Sequence, residues 1–436
     1  MTNLRVTRDN LVALPAIAPY FALGLLSFMA APWVLLLAAD SLEGGFYRDP
    51  AVLVAVHLYA LGWGTAVALG ALQQMTAVVF ATVLYNPRLS QASFAGFALG
   101  LSGLISGFAM ASRPGLAMPP LAAAAIGLPL GAVLALGNVA LTIRTGQATV
   151  RGNLIRPFVQ AAGAYLVLAF VAGAALAVNL ATGWLGLSWR TAFPFHVAAA
   201  AGGWFLMLVM GISYHLLTFF GLVEKKHEFR WVGTVRRLVH AGVGLALLAA
   251  ALPAVGLERW AGPAGAAAAL AVAAACGLFV GDGWGLYASR EKERMHPGVG
   301  YVRAAHLYLL AAAAALAAMG TGALTGLRVA PSTLTALGFL VAAGWLSSTI
   351  LGYLHRILPF VAWHNRYWGR AREPGVPAFR RMVHQPAAWA GFAVYQAGVV
   401  GVTAALATAL PVVPFLAVLG LGAGLAGLNL VRALLL

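Results

Sequence analysis

Residues 51–84 read AVLVAVHLYALGWGTAVALGALQQMTAVVFATVL, a stretch without Asp, Glu, Lys or Arg and without period-two alternation. Hydrocarbon offers a backbone no hydrogen bonds, so a chain crosses it as a helix or as a closed barrel. Long Ala/Leu/Val/Gly runs exclude the barrel, whose strands alternate. About 20 such residues cross the hydrocarbon core, so the stretch predicts a spanning helix. Comparable runs lie near 11–39, 92–111, 120–143, 157–182, 191–222, 235–254, 262–287, 302–325, 333–360, 384–408 and 411–434. The expected fold is an all-α membrane protein with twelve transmembrane helices. Composition agrees: 62% of the 436 residues are hydrophobic, 9% are charged and the mean hydropathy is +0.88. A soluble domain is nearer half apolar and a quarter charged.

The net charge of +16 does not indicate nucleic acid, because the basic residues form short clusters between apolar runs. Such clusters are orientation signals. With the N-terminus inside, the outer side holds Arg48, Arg113, Arg190, Arg259 and Arg328, five of the 27 Lys and Arg, and the other 22 fall on the inner side. An odd number of spans scrambles this bias. Both termini are therefore expected in the cytoplasm and the chain in the inner membrane, with the lipid bilayer as its first partner. The hydrophobic stretch after Arg5 and Arg8 is too long for a cleaved signal and reads as the first span. The single cysteine, Cys276, lies in an apolar run, so no disulfide framework or cysteine metal motif exists. The longest polar stretch, residues 363–385, reads as a basic inner loop. The whole chain, 1–436, is expected to be one membrane domain.

Three runs share a motif. Gly62-Trp63 is followed by Gly70 and then Gln73-Gln74; Gly203-Trp204 by Gly211 and His215; Gly344-Trp345 by Gly352 and His355-Arg356. A Trp-to-Gly spacing of seven places both on one helical face, and a small residue there admits a close neighbour. These runs are the second member of three successive four-helix units, near 1–150, 151–296 and 297–436.

Of the ten histidines, His227, His296 and His364 fall in inner loops and His384 at a span edge, all read as surface residues. The other six lie within spans and form two layers. His57, roughly 9 Å below the outer end of its helix at 1.5 Å per residue, and His196 form the outer layer. His215, His240, His306 and His355 form the inner one. Ionisable groups inside a membrane face a bundle interior or cavity, and imidazole ligates haem iron and copper. All six are candidate cofactor-binding residues; the plainer reading of each is a histidine bonded to a backbone carbonyl. There is no CxxCH, so a haem would be held without thioether links. Asp282 is the one carboxylate expected inside a span. It would either orient His306 or be an interfacial group capped by Arg290 or Arg303.

Twelve spans, cytoplasmic termini, three four-helix units and His57 near the outer start of the second helix resemble subunit I of haem-copper oxidases. The resemblance implies haem b and copper, with His57 on the low-spin haem and His196 on copper. His240 would be the other copper candidate, since the seventh helix lacks the family's paired histidines. Leu337 and Phe339 stand where the tenth helix of that family carries its outer histidines. The phrase HLYALGWGTAVALGALQQM at 57–75, with HLY again at 306–308, also resembles the NnrS family of haem- and copper-containing membrane proteins linked to nitric oxide. These resemblances imply a redox or nitric-oxide-related protein served by an outer-side electron donor or a small gaseous ligand. A secondary transporter, for which repeated Gly-broken helices also speak, and an assembly subunit are the competing classes.

Overall fold

Twelve helices of the computed structural model are long and apolar enough to cross a membrane: α1 (Leu14–Leu37), α2 (Pro50–Val79), α3 (Pro87–Ala109), α4 (Gly115–Thr145), α5 (Gly152–Thr182), α6 (Trp189–Thr218), α7 (Val232–Val255), α8 (Glu258–Tyr287), α9 (Pro297–Leu324), α10 (Pro331–Tyr367), α11 (Gln385–Thr408) and α12 (Val413–Leu435). The structure describes residues 10–147, 149–186, 188–219, 229–288, 296–326, 329–371 and 373–436. His227 and the basic residues Arg5, Arg8, Lys225, Lys226, Arg290, Lys292, Arg294, Arg328 and Arg372 lie outside them. The expected all-α architecture of twelve membrane helices is the one observed.

Successive helices pack as neighbours, most extensively α3 on α4, α11 on α12 and α7 on α8, and α1 closes the ring against α12. The two ends of the described chain share one face. Asn365, late in α10, donates to the Val12 carbonyl at 3.3 Å, and the Tyr367 hydroxyl donates to the Leu436 carbonyl at 2.6 Å. This face, which the basic residues favour, is termed inner below. The N-terminal segment is clamped there, because Gln74 accepts from Val12 N–H at 3.0 Å and donates to the Asn10 carbonyl at 3.2 Å. Gln73 instead accepts from Asn138 of α4 at 3.1 Å.

α2, α6 and α10 meet at the centre of the ring. Trp63, Trp204 and Trp345 are 141 residues apart twice over (204 − 63 and 345 − 204), and all three are buried. Each sits in a π-helical stretch: Leu58–Thr65, Ala198–Leu206 and Leu340–Leu346. A π turn widens the helix by one residue and is an uncommon device. The Ser347 hydroxyl marks the wider turn in α10 by donating to Ala342 O, five residues back, at 2.8 Å. The Trp204 indole donates across the centre to Thr65 Oγ1 at 3.1 Å.

The motif glycines are where α1, α5 and α9 come close. A Cβ on Gly70 would lie 2.8 Å from Tyr20 Cβ of α1, and one on Gly352 would lie 2.5 Å from Val302 Cγ2 of α9; Gly211 is covered by Phe158 of α5. Real Cβ atoms do not approach that closely, so these positions accept no side chain without a shift. α10 continues to Tyr367, beyond the run expected to end near 360. Its last turn is held by aromatic packing of Trp363 and His364 with Phe379, and by a bond from Trp363 Nε1 to Pro377 O at 2.8 Å.

Candidate haem-binding histidines

The outer pair is set by the starts of α2 and α6. Asp49 caps α2, its carboxylate accepting from Ala51 N–H at 2.8 Å, and Pro50 fixes the first turn. Asp49 is itself held by the Ser41 hydroxyl at 3.0 Å. Two turns on, His57 Nδ1 lies 2.7 Å from Leu53 O, and its ring lies 5.1 Å from that of Phe108 on α3. The outer α1–α2 connection is pinned to α6, with Tyr47 stacked on Phe193 at 5.2 Å and Arg48 over the Trp189 ring at 5.5 Å. His196 points Nδ1 to Ala169 O of α5 at 2.9 Å. Gly173 makes room for that ring, since a Cβ there would meet His196 Cε1 at 2.9 Å.

A backbone carbonyl only accepts, so both histidines must carry their proton on Nδ1, leaving the Nε2 lone pair for another partner. Metal-ligating histidines are oriented in this way. His57 and His196 are only partly buried, and they lie close enough to interact electrostatically.

Of the inner four, His215, His306 and His355 are at most 2% exposed, and His240 is partly buried. His355 bonds Leu351 O at 2.7 Å, stacks on Tyr301 at 5.3 Å, and has Nε2 buried without a partner. His306 Nδ1 pairs with the Tyr287 hydroxyl at 3.4 Å, and His240 Nδ1 with the Tyr165 hydroxyl at 3.1 Å. His215 closes the set in α6, its carbonyl accepting from Thr218 at 2.9 Å. Among the described residues no group of three or more His, Cys, Asp or Glu is arranged to hold a metal ion. Of the copper candidates, His196 rests against Ala169 and Gly173 and His240 reaches the Tyr165 hydroxyl, all three residues on α5.

Asp282 orients no histidine by a hydrogen bond found among the described residues. Its carboxylate accepts from Arg230 N–H at 3.1 Å, Trp231 N–H at 3.0 Å and the Tyr214 hydroxyl at 3.3 Å, anchoring the start of α7. Arg303 lies instead over the rings of Trp284 and Tyr287, and Arg290 is outside the described residues.

Two histidines read as surface residues are helix caps. His296 Nδ1 accepts from Gly298 N–H at 3.1 Å at the start of α9, and His384 Nδ1 accepts from Ala387 N–H at 3.3 Å at the start of α11. A histidine one residue before Pro297 and one two residues before Pro386 were the available signal, since proline favours the first helical turn. Outside the span, His296 has its pKa pushed down to about 3 by burial first, then by Arg356 and His355.

No family model matches this sequence, and no curated protein matches it. Among solved structures the chain is similar to a haem-copper terminal oxidase determined as a dimer by cryo-electron microscopy. The TM-score is 0.56 at 12% identity, over 96% of this chain and 84% of that one. The fold is therefore that of a haem-copper oxidase subunit, and at this identity the likeness extends to the fold alone.

Proposed function

We propose that this chain is a haem-binding membrane protein with a redox role, the iron being held by Nε2 of His57 and His196. The observation carrying the reading is their shared geometry. Both tie Nδ1 to a backbone carbonyl, both keep Nε2 for a further partner, and both stand in a partly open part of the bundle within electrostatic reach of each other. The resemblance to a haem-copper terminal oxidase in fold supports it. The haem, held without a thioether pair since the chain has one cysteine and b-type on the resemblance, would supply one-electron chemistry near the outer side. Copper is left out of the proposal, because the donor set for it is not assembled among the described residues.

The protein's own part is to orient. Leu53 O and Ala169 O fix the tautomers, Phe108 covers one face of His57, and Gly173 gives His196 its place. A nitric-oxide-related role belongs to the same proposal, as a gas that would compete for an iron position. The repeat units near 1–150, 151–296 and 297–436, the inner membrane and the cytoplasmic termini are proposed with it, on the register of the three tryptophans and on the charge bias.

The test is an optical spectrum of protein purified from haem-replete cells. A Soret band is expected, changed by His57→Ala and by His196→Ala and unchanged by His384→Ala. Protein without a Soret band would defeat the proposal.

A further inference from the structure

The outer half of the bundle holds an open cleft of about 400 Å³ between the start of α6, the outer parts of α7 and α8, and α9. Along α8 it runs from Ala261 to Val272, eleven residues or about 16 Å at 1.5 Å per residue. That is the depth of one leaflet in a hydrocarbon core roughly 30 Å thick. Its inner end closes where α7 meets α8, since a Cβ on Gly242 would lie 2.7 Å from Val272 Cγ2. Farther out the walls of α7 and α8 are Ala, Gly and Pro, too small to fill the gap between the helices. Gly265 looks into that gap: a Cβ added there would meet nothing within 4 Å, unlike one on Gly70 or Gly352.

Apart from Arg190, every residue lining the cleft is aliphatic or glycine. A nucleotide, a quinone head group or a macrocycle would find no side chain there to hydrogen-bond, stack on its ring or ligate its metal. Arg190 stands at the outer end, as the second residue of α6; it is exposed and makes no ion pair among the described residues. Trp184 and Trp260, both exposed at the same end, mark the level of the lipid head groups, where indole rings collect. A guanidinium at that level binds phosphate oxygens through paired, charge-assisted hydrogen bonds. The lining thus matches an amphiphile with one anionic group and a long apolar chain.

We propose that the cleft is a binding site for one phospholipid of the outer leaflet, with its phosphate on Arg190 and one acyl chain laid along α8 toward Val272. Hydrocarbon already surrounds the bundle, so the chain is held by close packing and by its fixed head group rather than by the hydrophobic effect. Neither the proposal nor its test uses the haem reading; both need only the packing of α6, α7, α8 and α9.

The full chain, reconstituted in nanodiscs of phosphatidylglycerol brominated at mid-chain, is imaged by cryo-electron microscopy. A continuous chain of density is expected from Arg190 to Val272, with the bromine signal between Gly265 and Val272. Gly265→Leu, whose side chain fills the cleft, should abolish it. Arg190→Gln should lower the phospholipid retained through detergent washing, counted by native mass spectrometry, whereas Arg113→Gln, at an outer arginine that does not line the cleft, should not. If Gly265→Leu does not fold, the wild-type map and the exposed Arg190→Gln decide. The proposal is overturned if the cleft is empty or holds detergent, a free fatty acid or a flat ring, if the density survives Gly265→Leu, or if the two arginine variants retain phospholipid equally.

Discussion

Gly64 gives the sharpest test of how the three central helices meet. A Cβ added there would stand 2.7 Å from Phe205 Cε1, 3.0 Å from Phe205 Cζ and 3.2 Å from Leu346 Cδ2. Ordinary carbon contacts are near 3.5–4.0 Å, so Gly64→Ala forces the Phe205 ring or the helices apart by about 1 Å. Overpacking of this kind costs about 1–3 kcal/mol. Phe205→Leu alone removes part of a buried ring and leaves a void, at a cost of about 1–3 kcal/mol, less than the 3–5 kcal/mol of truncation to Ala. The double variant should cost clearly less than the sum, because the smaller side chain vacates the space the new methyl needs. A favourable coupling of about 1 kcal/mol or more is expected. Reversible unfolding in detergent micelles, measured for wild type, both single variants and the double, yields the four free energies. Strict additivity would mean that Gly64 and Phe205 do not face each other, and the meeting of α2 and α6 at the centre would have to be abandoned.

Gly70→Leu, Gly211→Leu and Gly352→Leu should each lower the melting temperature, with losses of about 1–3 kcal/mol or more; wild-type melting in all three would refute close approach at the repeat. Asp282→Ala removes the acceptor of three hydrogen bonds, and should cost about 2–3 kcal/mol and raise proteolysis near Arg230, read by limited digestion. His296 should make stability depend on pH. Its folded pKa of about 3 lies below the unfolded value near 6.5, so the unfolded state binds more protons between these values. Stability is then full above about pH 6.5 and falls as pH drops toward 3, as protonation takes away the lone pair that accepts Gly298 N–H. A melting series for wild type and His296→Asn should show a shallower decline in the variant, and parallel curves would argue against the cap.

The spans were legible because hydropathy and length are one-dimensional properties, which a run such as 51–84 carries in itself. Depth was legible too, since His57 and His196 stand near the same end of the bundle as expected. Azimuth was not. Whether His306 faces Asp282 or Tyr287 depends on rotation about a helix axis, and 3.6-fold periodicity says little when nearly every residue is apolar. The π turns compound this, because an extra residue in a turn rotates everything beyond it, and the Gly-Trp pairs gave no hint of them. Two partners of Asp282 were not legible for a related reason: they are backbone N–H groups of Arg230 and Trp231, which sequence does not distinguish from any others.

The meeting of the chain ends has a consequence for how the polypeptide can be wired. Residues 12 and 436 are held by Asn365 and Tyr367, two positions apart in α10, and α1 lies against α12 as any consecutive pair does. The ring therefore has no seam that the packing itself requires. A circularly permuted gene, with a linker joining positions 12 and 436 and new ends opened between α4 and α5, would ask each helix to find the same neighbours, and only the order of synthesis would change.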